Sequence, residues 1–159
     1  MKGITPFLWF DKEAEEAANY YTGIFENSRI TSIANFTEVG PGEKGSAMVV
    51  EFELNGQPYI ALNGGPTYQF NPAISMMVNC ETQDEIDYFW EKFKADGGQE
   101  VACGWITDKY GVSWQITPIV LMEMQKDPDE AKRERVMRAM MNMIKLDIAE
   151  LKRAYEGDQ

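Results

Sequence analysis

A short aromatic strand that runs straight into an amphipathic helix opens this chain, and the same layout recurs near its middle. The first copy is Ile4 to Phe25, ITPFLWFDKEAEEAANYYTGIF, and the second starts at Ile74, ISMMVNCETQDEIDYFWEKF. Each copy is followed by three further strand-like segments. The chain therefore reads as one strand–helix–strand–strand–strand unit used twice, which makes the predicted class α+β. The predicted halves span about 1–66 and 73–118 of a domain covering 1–120, and 121–159 form a helical extension. At 159 residues the chain is long enough to bury a proper core.

In the first half, Ile4–Phe10 carries Pro6 near its start, as a strand edge tolerates. Asp11 is the expected N-cap, and Ala14, Ala17, Ala18, Tyr21 and Phe25 fall at helical spacing behind it. Glu13, Glu15 and Glu16 crowd the first turn, where the helix dipole favours them, so they need no catalytic role. Arg29–Thr37 alternates as a half-buried strand, and Val39–Gly45 is a turn-rich loop. Ala47–Leu54 and Gln57–Asn63 flank Asn55-Gly56, a strong hairpin signal. On the second of these strands Ile60 and Leu62 oppose Tyr59, Ala61 and Asn63.

The second half repeats the plan. Ala73–Cys80 is a predicted strand, Thr82 and Glu85 form a capping box, and Ile86, Phe89, Trp90 and Phe93 mark the helix stripe. Gly97-Gly98 ends that helix, and Gln99–Ile106 is a strand region interrupted at Gly104. Asp108–Gly111 is a turn, and Val112–Pro118 is the last strand, with Trp114 and Ile116 as core. In both halves the more apolar strand face is expected to meet the helix. The mixed face then lines a cleft with apolar walls and a few polar contacts. Its candidate ligand-binding residues are Trp9, Tyr59, Asn63, Ser75, Met77, Asn79, Ser113 and Gln115. Trp105 and Asp108 sit where a loop closes over such a cleft, although Asp108 has the character of a turn residue.

In the tail, Asp127-Pro128-Asp129-Glu130 reads as a helix start with Asp127 as N-cap, and Asp147 with Glu150 starts another. Val136, Ala139, Met140 and Met143 form a stripe that packs on the domain or on a dimer partner. Six of the ten methionines lie between Met122 and Met143, so a protein-binding surface is the alternative.

Composition narrows the function. A net charge of −11 disfavours nucleic acid and anionic membranes. The absence of histidine removes His triads, His bases and His metal ligands. Cys80 and Cys103 have no metal-type spacing and read as free thiols of a reducing cytoplasm. No signal peptide or long apolar run is visible, so the expected location is cytoplasmic.

A doubled unit of this length resembles the vicinal oxygen chelate (glyoxalase/bleomycin-resistance) superfamily. ITPFLWFDKEAEEAANYYTGIFENSRI, VEFELNGQPYIALNGGP, CGWITDKYGVSWQITP and DPDEAKRERVMRAMMNMIKLDIAELKRAY together resemble its PhnB-like branch, also labelled 3-demethylubiquinone-9 3-methyltransferase-like. The resemblance implies two βαβββ repeats in a curved mixed sheet and a homodimer. It also places Thr5, Asn63, Ala73 and Gln115 where relatives carry metal ligands. Only Gln115 is a ligand type the superfamily uses, so no metal and no other cofactor is expected. The methyltransferase label lacks its usual sequence support. Gly40, Gly42 and Gly45 lie between strands, and Gly64-Gly65 precedes a proline, so no Gly-rich loop opens a helix.

The reading is a small-molecule binder with a metal-free cleft. Its alternatives are an enzyme of the superfamily (isomerase, lyase, dioxygenase-like, or the labelled methyltransferase) and a drug-sequestering protein.

Overall fold

The computed structural model describes residues 3–157. Its elements fall into two units that divide between Phe70 and Asn71. The first contains β1 (Phe7–Phe10), α1 (Ala14–Ile24), β2 (Arg29–Asn35), β3 (Ala47–Leu54) and β4 (Gln57–Asn63). The second contains β5 (Met76–Cys80), α2 (Gln83–Ala95), β6 (Gln99–Glu100), β7 (Trp105–Thr107) and β8 (Ser113–Pro118). It continues into α3 (Ile119–Met124), α4 (Glu130–Met141) and α5 (Ile148–Glu156). The class is α+β with two βαβββ repeats, as the sequence predicts.

Each unit builds one four-stranded mixed sheet of the same topology, ordered β1-β4-β3-β2 and β5-β8-β7-β6. The first strand of each repeat pairs in parallel with the last, and the remaining pairs are antiparallel. In the first unit Ala14, Ala17 and Ala18 are fully buried, which lets α1 lie close to the sheet. Tyr21 of α1 stacks on Phe52 of β3, and Phe52 on Tyr59 of β4, with centroid spacings of 6.3 and 5.5 Å. Asn55 and Gly56 both adopt positive φ (47° and 77°), the geometry of the tight hairpin their sequence announces.

In the second unit Ile86, Trp90 and Phe93 of α2 are buried, and Phe93 stacks on Trp114 at 4.8 Å. The capping box of Thr82 and Glu85 forms as expected. The strand expected from Ala73 begins at Met76 instead. Asn71 Oδ1 accepts from Ala73 N–H at 2.9 Å and closes a turn around Pro72.

The tail carries its own core of Leu121, Met124, Val136, Met143, Leu146 and Leu151. At six residues α3 is too short to show a helical period in the sequence. The N-cap of α4 is Asp129 and not Asp127, since Pro128 separates Asp127 from the helix. Asp127 accepts instead from the Tyr155 hydroxyl and from Asp129 N–H, which in that order hold its carboxyl below the usual range. Among the described residues no helix is long and apolar enough to cross a membrane.

Candidate functional site

The sequence places the candidate residues on the sheet faces that the helices leave uncovered. In the first unit, register settles which residues those are. Leu8 pairs with Ala61 and Phe10 with Asn63, and Leu8, Phe10 and Ala61 are buried. Phe7 pairs with Ile60 and Trp9 with Leu62, and this opposite row is only partly buried, with Phe7 56% exposed. Tyr59, Ala61 and Asn63 therefore face α1, whereas Ile60 and Leu62 face away from it. This reverses the expectation for β4. The cause is chemical: the Tyr59 ring continues an aromatic stack, and the Asn63 amide is consumed at the helix end.

Asn63 takes over the capping expected of Asp11. Its Oδ1 accepts from Ala14 N–H at 2.8 Å, and its Nδ2 donates to Ala47 O at 2.9 Å. Glu13, at the N-cap position, makes no side-chain cap. Asn63→Ala should thus lower stability by about 1–2 kcal/mol in urea denaturation. Unchanged stability would show that the cap carries no weight.

Trp9 does lie on the helix-free face, but it is pinned there. Its indole Nε1 donates to Gly65 O at 2.8 Å, and Tyr68 meets the ring edge-on at 5.1 Å. A Cβ on Gly64 would fall 2.3 Å from the same ring, so glycine is required for this approach. A recess of about 370 Å³ opens beside it, lined by Asp11, Lys12, Phe36, Glu43, Ser46 and Asn63 among others.

The second unit carries the polar helix-free face. Met77, Asn79, Ser113, Gln115 and Thr117 alternate with Met76, Val78, Trp114 and Ile116, and the latter row meets α2. Gln115 Nε2 donates to Ser75 Oγ at 2.8 Å, which joins two predicted site residues 40 positions apart. Ser113 is buried, while Met77 and Asn79 are exposed. β7 adds Trp105 opposite Gln115 and Thr107 opposite Ser113 on this same face. Trp105 is thus a strand residue and not part of a closing loop. Its alternation with buried Ile106 was the available signal.

Asp108 is a structural residue. It is 3% exposed, and its carboxyl accepts from Tyr110 N–H, Val112 N–H and Trp114 Nε1–H. Cys80 is buried, and desolvation, with Glu85 nearby, pushes its thiol up to about 12. Burial also raises Tyr59. For both groups the folded value lies above the unfolded one. Their contribution is complete below about pH 9 and is lost as the pH rises through the folded values. Urea midpoints should therefore fall from pH 9 toward 12, and Cys80→Ala should flatten that fall. An equal slope in the variant would refute the assignment.

Residues 2–117 match the family model described as 3-demethylubiquinone-9 3-methyltransferase. This chain belongs to that family. A Bacillus cereus PhnB protein carrying the same label is 40% identical, over 74% of this chain and 99% of its own, with a TM-score of 0.67. A Pseudomonas aeruginosa protein of 19% identity covers 74% of this chain and 98% of its own at TM-score 0.62. A variant of the fosfomycin resistance protein FosX from Listeria monocytogenes was solved with Mn(II) and 1S,2S-dihydroxypropylphosphonic acid. It is 15% identical over 72% of this chain and 90% of its own, at TM-score 0.55. The last two likenesses are of fold alone. No curated protein matches the chain.

The sequence resemblance to vicinal oxygen chelate proteins makes a metal the group to test. The donor set here does not fit one. Among the described residues no three His, Cys, Asp or Glu side chains come together as a metal-holding group. Of the positions aligned with metal ligands, Thr5 precedes β1 and Ala73 lies in the Asn71 turn. Asn63 is committed to α1 on the other face of its sheet, which leaves Gln115 alone. The methyltransferase label gains no nucleotide cradle either. Gly42 closes over the Phe36 ring, and Gly64 closes over Trp9.

Proposed function

We propose that this PhnB-family chain binds a small organic molecule on the helix-free face of its second sheet, without a metal. The observation that carries the reading is the Gln115–Ser75 hydrogen bond beside Trp105 and Met77. Gln115 Nε2 donates to Ser75 Oγ, and its Oε1 is left to serve as an acceptor. The Ser75 hydroxyl keeps its own proton to donate. Trp105 and Met77 supply an apolar wall that adapts to a ring or short chain. A neutral or weakly polar ligand with one hydroxyl or amide donor suits this set, and the acidic surface disfavours polyanions.

The same reading has the protein acting as a cytoplasmic homodimer. Its support is the family resemblance and the exposed apolar side chains Phe7, Ile33 and Ile74. Sedimentation at micromolar concentration checks the dimer.

Thermal-shift screening tests the ligand reading. It should compare small organic acids, quinone precursors and cationic aromatic antibiotics on the purified protein. At least one class is expected to raise the midpoint, and Gln115→Ala should remove the rise. Elemental analysis of the same preparation should find metal far below one per chain. One equivalent of metal per chain would overturn the metal-free part.

A further inference from the structure

The C-terminal extension lies beyond the family match, which ends at residue 117, yet it reaches back to the strand that carries Trp105. The Bacillus cereus chain is matched over 99% of its length by 74% of this one. We propose that residues 143–148 are a conformational clamp that holds the Cys103–Gly104 turn, and through it the placement of Trp105 beside Gln115. The inference goes beyond the ligand reading and is measured without a ligand.

The turn closes on its own bonds, Trp105 N–H to Ala102 O at 3.3 Å and Val101 N–H to Trp105 O at 2.9 Å, and the tail braces it from outside. Cys103 and Gly104 are consecutive left-handed residues, at φ 61° and 80°. That conformation is unfavourable for a cysteine and persists where surroundings impose it. Beyond the hairpin's own bonds, the surroundings that reach these two residues include the tail. Cys103 N–H donates to Met143 O and Gly104 N–H to Ile144 O, both at 2.8 Å. On its other side Gly104 O accepts from Ile116 N–H of β8 at 2.8 Å. The buried Gly104 is thus bonded to the tail through its N–H and to the sheet through its carbonyl. Leu146, 1% exposed, packs directly on it: a Cβ there would fall 2.8 Å from Leu146 Cδ1. The next residue is Trp105, in register with Gln115.

The tail segment is itself anchored to α2, so the arrangement is a closed circuit within one unit. Gln83 Nε2 donates to Leu146 O at 3.1 Å, and its Oε1 accepts from Ile148 N–H at 2.9 Å. Lys145 pairs with Asp87 at 2.6 Å. One glutamine therefore holds both backbone groups that flank the α5 N-cap, Asp147. Gln83 and Leu146 act as positioning residues through the turn and do not touch the proposed ligand face.

Hydrogen–deuterium exchange on the full chain tests this, with Gln83→Ala and Leu146→Ala beside wild type. Alkylation of Cys103 by iodoacetamide is the second readout, because Cys80 is buried and does not compete. At least one variant should speed exchange at the Cys103 and Gly104 amides about tenfold and raise Cys103 labelling with it, while β8 stays as protected as in wild type. Unchanged exchange at 101–104 in both variants would overturn the proposal. A uniform rise that includes β8 would also overturn it, because a clamp acts locally.

Discussion

Asp108→Ala should lower stability by about 3–5 kcal/mol, because it strands three donors in a buried place. The side chain is 3% exposed and accepts from Tyr110 N–H at 2.9 Å, Val112 N–H at 3.0 Å and the Trp114 indole at 2.9 Å. For a chain of this size that corresponds to a fall in Tm of roughly 10 °C. Asp108→Asn separates shape from chemistry. Its carbonyl oxygen still serves the two backbone groups, but its NH2 meets the indole N–H donor to donor. It should therefore lose about half as much. In a Trp114→Phe background, Asn should cost markedly less than in wild type, because the opposing donor is gone. If Asp108→Ala unfolds at the wild-type midpoint, the carboxyl does not organise the β7–β8 turn. It would then regain its standing as a functional candidate.

Phe52→Ala is the largest expected loss in the first unit, again about 3–5 kcal/mol. Phe52 is 1% exposed and sits between the rings of Tyr21 and Tyr59. The companion variants at position 59 decide which face of β4 meets α1. Tyr59→Phe keeps the stack and should change stability little. Tyr59→Ala shortens the stack and should cost about 2–4 kcal/mol. Were Tyr59 a ligand contact on the open face, Tyr59→Ala would leave stability nearly unchanged. Urea denaturation of the three variants distinguishes these outcomes.

The repeat, the hairpin at Asn55-Gly56, the capping box at Thr82 and the β8 pattern were legible because each has one strong local cause. On β8, Trp114 and Ile116 against Ser113, Gln115 and Thr117 leaves no doubt about which row is core. On β4 the two rows are Ile60 with Leu62, and Tyr59 with Ala61 and Asn63. Both are largely apolar, so hydrophobicity alone points the wrong way. The deciding facts are long-range: a ring in β3 that stacks on Tyr59, and a helix end 49 residues away that uses the Asn63 amide. Asp11 looked like the cap because the preference is local, and a distant side chain outcompeted it. The start of β5 was shortened by a turn at Asn71-Pro72 that the alternating pattern of Ala73–Cys80 masks. Of the candidate site, Ser75 and Gln115 are brought into contact, and Trp105 joins them through strand register. Tyr59 and Asn63 belong to the fold.

The most direct measurement is a calorimetric titration of the best ligand from the thermal-shift screen into wild type, Gln115→Ala, Ser75→Ala and Asn63→Ala. Affinity should fall about tenfold or more in the first two variants, which lose the amide or its hydroxyl partner, and stay at the wild-type value in Asn63→Ala. Equal affinity for wild type and Gln115→Ala, or a loss confined to Asn63→Ala, would contradict the assignment of the site to the second sheet.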